Sequence, residues 1–213
     1  TQSNSDGFNL DMDNVEGATI PLELAWKPKL ATFNGLPGEY KLGALYSTAE
    51  AKDIRSGEMQ DGKYSFWLNA QQQLTQHGAD PKRGLYISFN GVVNDKATTF
   101  VESTQQLALW YKGPFDSRPN DSIGFGLANY VVNDRSTDKQ IATNEGRGYY
   151  SYDAVASDYV PIQRDELNVE LNYTYQWSPA VMLRPNVQYI YQPTGVKEVE
   201  DAWVAGLTMK VNF

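Results

Sequence analysis

From Leu167 onward every second residue is apolar: Leu167, Val169, Leu171, Tyr173, Tyr175 and Trp177. Between them stand Glu166, Asn168, Glu170, Asn172, Thr174 and Gln176. An alternation without error has a period of two, which a strand satisfies and a helix does not. After Ser178-Pro179-Ala180 the pattern resumes, with Val181, Leu183, Val187, Tyr189 and Tyr191 on one face and Arg184, Asn186 and Gln188 on the other. The stretch 165–191 therefore reads as two long strands joined by a very short turn. Strands in globular proteins usually run about five or six residues, whereas about ten tilted residues cross the hydrocarbon of a bilayer. The aromatic residues gather toward the strand ends, where rings sit at a lipid–water boundary. This stretch predicts an all-β chain, a transmembrane antiparallel β-barrel.

The remaining composition is compatible with that. The 213 residues are 41% hydrophobic with a formal net charge of −8, and mean hydropathy is −0.53. No apolar run is long enough for a membrane-spanning helix, and in a barrel half of each strand and every loop face water. Without cysteine there is no disulfide framework, thiolate metal site or cysteine nucleophile. The single histidine, His77, falls in a Gly/Asp/Pro-containing turn and reads as a solvated turn residue. The acidic balance argues against nucleic acid as a partner.

Residues 1–17 read as a polar loop. Ile20, Leu22, Leu24 and Trp26 mark a first strand, with Pro21 at its start or at a bulge. Asn34-Gly35-Leu36-Pro37-Gly38 is a turn, followed by a strand with Tyr40, Leu42, Ala44 and Tyr46 outward. After a polar loop at 47–62, a third strand points Tyr64, Phe66, Leu68 and Ala70 outward and Trp67, Asn69, Gln71 and Gln73 inward. A fourth has Leu85, Ile87, Phe89 and Val93 out and Tyr86, Ser88 and Asn90 in. A fifth has Val101, Leu107, Leu109 and Tyr111 out and Glu102, Thr104, Gln106, Ala108 and Trp110 in. Ile123, Phe125, Leu127 and Val131 mark a sixth. Segment 133–164 has no sustained period and reads as an aromatic loop. The 165–191 hairpin follows, and a last strand carries Trp203, Ala205, Leu207, Met209, Val211 and Phe213.

About nine strands result, and their connections alternate between long polar loops and short Pro/Gly-rich turns. Outer-membrane barrels place long loops outside and short turns in the periplasm. On that orientation the chain begins in an extracellular loop and its last strand ends at the periplasmic rim. Single-chain bacterial barrels have an even strand count, and an open sheet edge is prohibitively costly in lipid. The expectation is that residues 1–213 form the C-terminal part of one larger barrel domain, with the N-terminal strands elsewhere.

The ordered set Pro21-Leu22-Glu23-Leu24-Ala25-Trp26, Leu36-Pro37-Gly38-Glu39-Tyr40-Lys41-Leu42-Gly43 and Arg83-Gly84-Leu85-Tyr86 carries a family resemblance. It continues through Trp110-Tyr111-Lys112-Gly113-Pro114-Phe115-Asp116-Ser117-Arg118-Pro119-Asn120-Asp121, Leu183-Arg184-Pro185-Asn186-Val187-Gln188-Tyr189 and Gly206-Leu207. From Pro21 onward the chain resembles the C-terminal half of the bacterial carbohydrate-selective porins of the outer membrane. The terminal Phe213 also resembles the signal read by barrel-assembly machinery. The resemblance implies a barrel of about sixteen strands around a water-filled lumen, passing glucose and related sugars down a gradient. The partners expected are sugar solutes, membrane lipid and lipopolysaccharide, the N-terminal half of the barrel, and further copies in a homotrimer. No cofactor is expected. Asp11 and Asp13 resemble a fragment of a calcium loop, and a divalent cation among the acidic loops stays open.

Sugars present hydroxyls that need donors and acceptors, and C–H faces that stack on rings. A selective channel therefore lines its wall with polar and aromatic side chains that bind weakly enough to release. The inward set offers Trp67, Tyr86 and Trp110 as rings. Asn90, Glu102, Gln106, Glu170, Asn172, Arg184, Asn186 and Gln188 offer hydrogen-bonding groups, with Arg184 and Glu170 expected to pair across adjacent strands. Trp26, Trp177 and Trp203 share the outward parity and read as girdle anchors. Enzyme readings fare poorly: Glu166 and Glu170 would stand about 13 Å apart along a strand, beyond the roughly 5–9.5 Å of glycosidase carboxylates. No nucleophile elbow, H-E-x-x-H or P-loop occurs. A general or small-acid diffusion porin and a soluble β-sandwich lectin are the rival readings.

Overall fold

The computed structural model describes residues 17–212. The expected loop at 1–17 lies almost wholly outside the described residues, as do Asp11, Asp13 and Phe213. Nine long strands form one antiparallel sheet. They are β1 (Thr19–Trp26), β2 (Gly38–Ser47), β5 (Lys63–Gln73), β6 (Gly84–Asn94), β7 (Val101–Lys112), β8 (Ser122–Val132), β9 (Glu166–Gln176), β10 (Val181–Tyr191) and β11 (Ala202–Val211). The loop between β2 and β5 carries a two-residue pair, β3 (Ala51–Lys52) and β4 (Met59–Gln60). Each long strand bonds to its sequence neighbours, in the order β1-β2-β5-β6-β7-β8-β9-β10-β11. Such a meander satisfies the backbone of every inner strand without water, as a bilayer demands. An eleven-residue strand is about 36 Å long and, tilted by about 40°, rises about 28 Å. That matches a hydrocarbon core of about 30 Å.

The register shows the tilt directly. One row of paired residues starts at Trp26, the last residue of β1, and passes through Tyr40, Ala70, Phe89, Leu107, Leu127, Val169 and Tyr189. It ends at Trp203, the second residue of β11. The row thus climbs from the short-turn end of the sheet to its long-loop end, the stagger that closing a barrel requires. Among the described residues the sheet stays open, with β1 and β11 as its edges.

The outward face is apolar and bare. Leu24, Leu171 and Leu207 are 69%, 58% and 70% exposed, and the only buried hydrophobic residues among those described are Val132 and Val196. A soluble sandwich would bury this face against a second sheet, so the lectin reading is set aside. Girdle aromatics cluster at both ends: Trp26 and Tyr40 lie 5.7 Å apart at the short-turn end, Tyr189 and Trp203 5.0 Å apart at the other.

Four details depart from the sequence reading. Segment 133–164 is not a loop throughout, since α1 (Asp134–Gly146) opens it. Asn133 caps this helix by accepting from the Arg135 amide. The helix is held by polar groups: Thr137 donates to the Gln163 carbonyl, and Asn144 exchanges two hydrogen bonds with the Val160 backbone. A helix docked through Thr and Asn leaves no apolar stripe to read. Second, the β7–β8 register shifts between Val101 and Ser103, leaving Glu102 unpaired and Val101 opposite Val132 on the inward side. A bulge of this kind resets the parity, so Val101 is not outward. Third, Pro21 sits inside β1 with no register shift, in an edge strand of the described sheet where a missing donor is tolerated. Fourth, His77 is not merely solvated, because its ring nitrogens contact the Tyr111 hydroxyl at 2.9 Å and Asp116 at 3.2 Å.

Both ends of the sheet are tied by polar contacts. At the long-loop end Arg135 reaches Asp53 (3.4 Å), and the Asn133 amide donates to the carbonyls of Lys96 and Thr99. Gln163 in turn reaches the Thr194 carbonyl. The backbone amide of Ser56 chiefly, with Arg135 adding to it, holds the Asp53 carboxyl below the ordinary range. At the short-turn end Arg83 and His77 converge on Asp116, and their hydrogen bonds depress its carboxyl likewise.

Candidate functional site: the inward wall

Because side chains alternate, one face of each strand builds the concave wall. The register then decides which inward residues meet. Glu23, Gly43 and Trp67 are directly paired across β1, β2 and β5. The Trp67 indole lies over Gly43, where a Cβ would overlap the ring, and its Nε1–H donates to Glu23 at 2.8 Å. Trp67 is therefore laid along the wall, with one face covered by β2. Tyr86 and Trp110 are paired across β6 and β7 and stack at 5.3 Å with planes 9° apart. The Tyr86 hydroxyl is anchored on the Lys82 carbonyl.

Glu170 forms the hub of a second cluster. It accepts from Asn172 (2.7 Å) on its own strand and from Asn186 (3.1 Å) and Gln188 (2.7 Å) on β10. The expected Arg184–Glu170 ion pair is not formed. Arg184 donates instead to Thr174 at 3.1 Å, since the Asn172–Asn186 pair stands between these two residues and the hub and the three amides already fill the carboxylate. Glu102, the bulge residue, pairs with Lys96 of the neighbouring loop at 2.6 Å and so sits at the long-loop rim. Asn90 and Gln106 face each other across β6 and β7 and border one concavity of about 390 Å³.

The structure thus gathers ten of the eleven expected residues into three groups: Glu170, Asn172, Asn186, Gln188 and Arg184 on β9–β10; Tyr86, Trp110, Asn90 and Gln106 on β6–β7; and Trp67, joined by Glu23. Glu102 stands apart at the rim. Sequence reasoning left Glu23, Lys41, Asn69, Gln71 and Asn168 out of the site. Their signal was present as inward parity, which Asn69 and Gln71 carry in the same strand as Trp67. It also passed over the wall glycines: a Cβ on Gly124 would come within 2.7 Å of Asn172, and one on Gly206 would collide with Asn186.

Charge on this wall is largely answered. Glu23 holds the Trp67 indole, Glu170 holds three amides, and Glu39 meets Lys27 (3.4 Å) and Lys41 (3.2 Å). What remains toward the lumen, besides the Arg184 guanidinium, is a surface of amides, hydroxyls and ring faces.

A tilted, staggered meander with a bare apolar exterior, aromatic girdles and a polar interior wall defines a β-barrel porin of the outer membrane. Comparison with known proteins gives the particular family. The chain belongs to the carbohydrate-selective porin, OprB family, whose model matches residues 1–213. It is 80% identical over 214 residues to putative porin QuiX of Acinetobacter baylyi, covering 100% of the chain and 49% of that protein. It is 42% identical over 220 residues to porin B of Pseudomonas aeruginosa, covering 97% of the chain and 48% of that protein. The high-pH structure of Pseudomonas putida OprB superimposes with a TM-score of 0.88 at 42% identity, over 99% of this chain and 52% of that one. The chain spans about half the length of the relatives it matches.

Proposed function

We propose that the intact protein is a passive channel for neutral sugars, glucose and similar carbohydrates, across the bacterial outer membrane. The observation that carries this reading is the state of the wall. Its carboxylates are engaged by neighbouring donors, while neutral amides and the stacked Tyr86–Trp110 pair face the lumen. Hydroxylated solutes are served by such a surface, since each amide offers both donor and acceptor. The family's description as carbohydrate-selective supports it. The rest of the barrel is supplied by the other half of the longer protein, pairing with the edges β1 and β11, because unpaired backbone groups in hydrocarbon cost several kcal/mol each. Lipid and lipopolysaccharide surround the outward face, and chemical cross-linking in native membranes tests the homotrimer.

A second reading, a small-acid diffusion porin, draws on Arg184, which has its one hydrogen bond to the neutral Thr174. Solute flux into liposomes carrying the full-length protein separates the two. Glucose entering faster than a small anion or cation of similar size, with the advantage reduced by Trp110→Ala, supports the sugar channel. Preference for the anion, lost in Arg184→Gln, supports the acid channel and removes the first reading.

A further inference from the structure

Two concavities on the inward wall adjoin and share Ser88 and Asn90. The larger, about 390 Å³, is floored by Ala108, Gly126 and Ala128 and reaches Gln106 and Asn168. The smaller, about 270 Å³, lies against Lys41, Asn69 and Gln71. Two features mark them out. At one side of the larger concavity Asn172 and Gln188 each give an N–H to Glu170, as Asn186 does beside them. By contrast, among the described residues no side-chain hydrogen bond occupies Asn69, Gln71, Asn90 or Gln106, which line the concavities. The second feature is Gly126. The space above Gly43, Gly124 and Gly206 is filled by Trp67, Asn172 and Asn186, whereas a Cβ on Gly126 would meet nothing nearer than the Leu107 carbonyl at 4.0 Å. Packing does not require that glycine, and its omission of a side chain keeps the larger concavity open.

The register joins the two. Lys41, Asn69, Asn90, Gln106, Ala128 and Asn168 form one row of directly paired residues from β2 to β9. Lys41 is the fourth residue from the short-turn end of β2, and Asn168 the third from the long-loop end of β9. The row therefore slopes down the wall from the extracellular side toward the periplasm.

We propose that this row is a sloping track with two stations for a monosaccharide, an upper one over Gly126 and a lower one beside Asn69, with the Asn90 amide shared between them. A hydroxyl leaving the upper station finds its next partner on the same amide, so the solute descends without full release to water. Free amides suit this because each exchanges donor and acceptor roles with a hydroxyl, and neutral hydrogen bonds are weak enough to let go. The proposal rests on the sugar-channel reading and specifies where on the wall it acts.

The test is sugar-induced blocking of ion current through single channels of the full-length protein in planar bilayers, with glucose as the probe. The open-channel conductance without sugar reports that each variant has inserted. Asn90→Ala is expected to weaken glucose block by about fivefold, one neutral hydrogen bond. Gly126→Leu, which puts side-chain bulk into the open space above the glycine, is expected to weaken the block at least as much. Wild-type block that survives both substitutions unchanged overturns the track while leaving the sugar channel standing. A wild type that neither passes nor is blocked by glucose overturns the sugar reading and the track together.

Discussion

Asp121 closes the short-turn end between β7 and β8, and it is the residue whose removal the barrel should feel most. Its side chain is only 1% exposed. Arg118 grips both oxygens, Nε to Oδ2 at 2.9 Å and Nη2 to Oδ1 at 3.0 Å. The Gln176 backbone amide adds a bond at 2.9 Å, and the Tyr173 hydroxyl donates to Oδ2. Arg118 also lies 4.0 Å over the Tyr175 ring and donates to the Gln176 carbonyl. One carboxylate thus fastens a turn to β9. In Asp121→Ala four hydrogen bonds lose their acceptor, two of them from the cationic Arg118 guanidinium. Breaking a buried pair by removing one partner costs about 3–5 kcal/mol. Arg118 is 33% exposed and can rehydrate, so the lower end, about 3 kcal/mol, is expected. Asp121→Asn keeps one acceptor and the shape, and should cost about 2 kcal/mol.

The pH dependence has a definite sign. Burial opposes the charge on Asp121, but Arg118 and the Tyr173 hydroxyl outweigh it and hold the carboxyl below the ordinary range. A carboxylate depressed in the folded state stabilises it above the unfolded pKa of about 3.9 and loses that contribution as pH falls through the lower, folded value. Guanidinium unfolding of the full-length protein in phospholipid vesicles, followed by tryptophan fluorescence, measures the difference between wild type and Asp121→Ala. It should be constant from pH 7 to about 5 and shrink below about 4. A loss under about 1 kcal/mol, or a difference that grows on acidification, would refute the clamp.

Leu171→Arg, on the bare face at the middle of β9, should cost about 2–4 kcal/mol in the same titration. Gln188→Arg, on the opposite face and directly paired with Glu170 across the strands, should cost under about 1 kcal/mol, and equal costs would mean the two faces are misassigned. Asn133→Ala removes the α1 cap and two donors to the 96–99 loop. It should loosen this end by about 2 kcal/mol, seen as faster protease cleavage between residues 147 and 158 on intact cells. Gly43→Val should drive the Trp67 indole off β2 into the lumen, lowering single-channel conductance, with Trp67→Ala in the same chain restoring it. Unchanged conductance in Gly43→Val would show that the ring does not lie where Gly43 makes room for it.

Alternation made the strands, their outward faces and the girdle rings legible, because membrane burial acts on every second residue with the same sign. It also named the wall residues, since inward parity is the complement of outward. What it left hidden depends on lateral direction. Parity says that Glu170 and Arg184 both face the lumen, but only the register shows that Asn172, Asn186 and Gln188 reach the carboxylate first and Thr174 takes the guanidinium. The bulge at Glu102 moved Val101 to the inward side, a shift that a one-residue insertion makes without changing composition. Helix α1 escaped notice because Thr137, Gln140 and Asn144 dock it where a soluble helix would use leucines. The same distinction bears on function. Knowing which residues face the water identifies the wall, but a solute can bind only groups that their neighbours have left unoccupied. By that measure Glu170, rich in charge and central in the sequence pattern, is already engaged, and the plainer Asn90, Gln106 and Asn69 are the groups a passing hydroxyl meets.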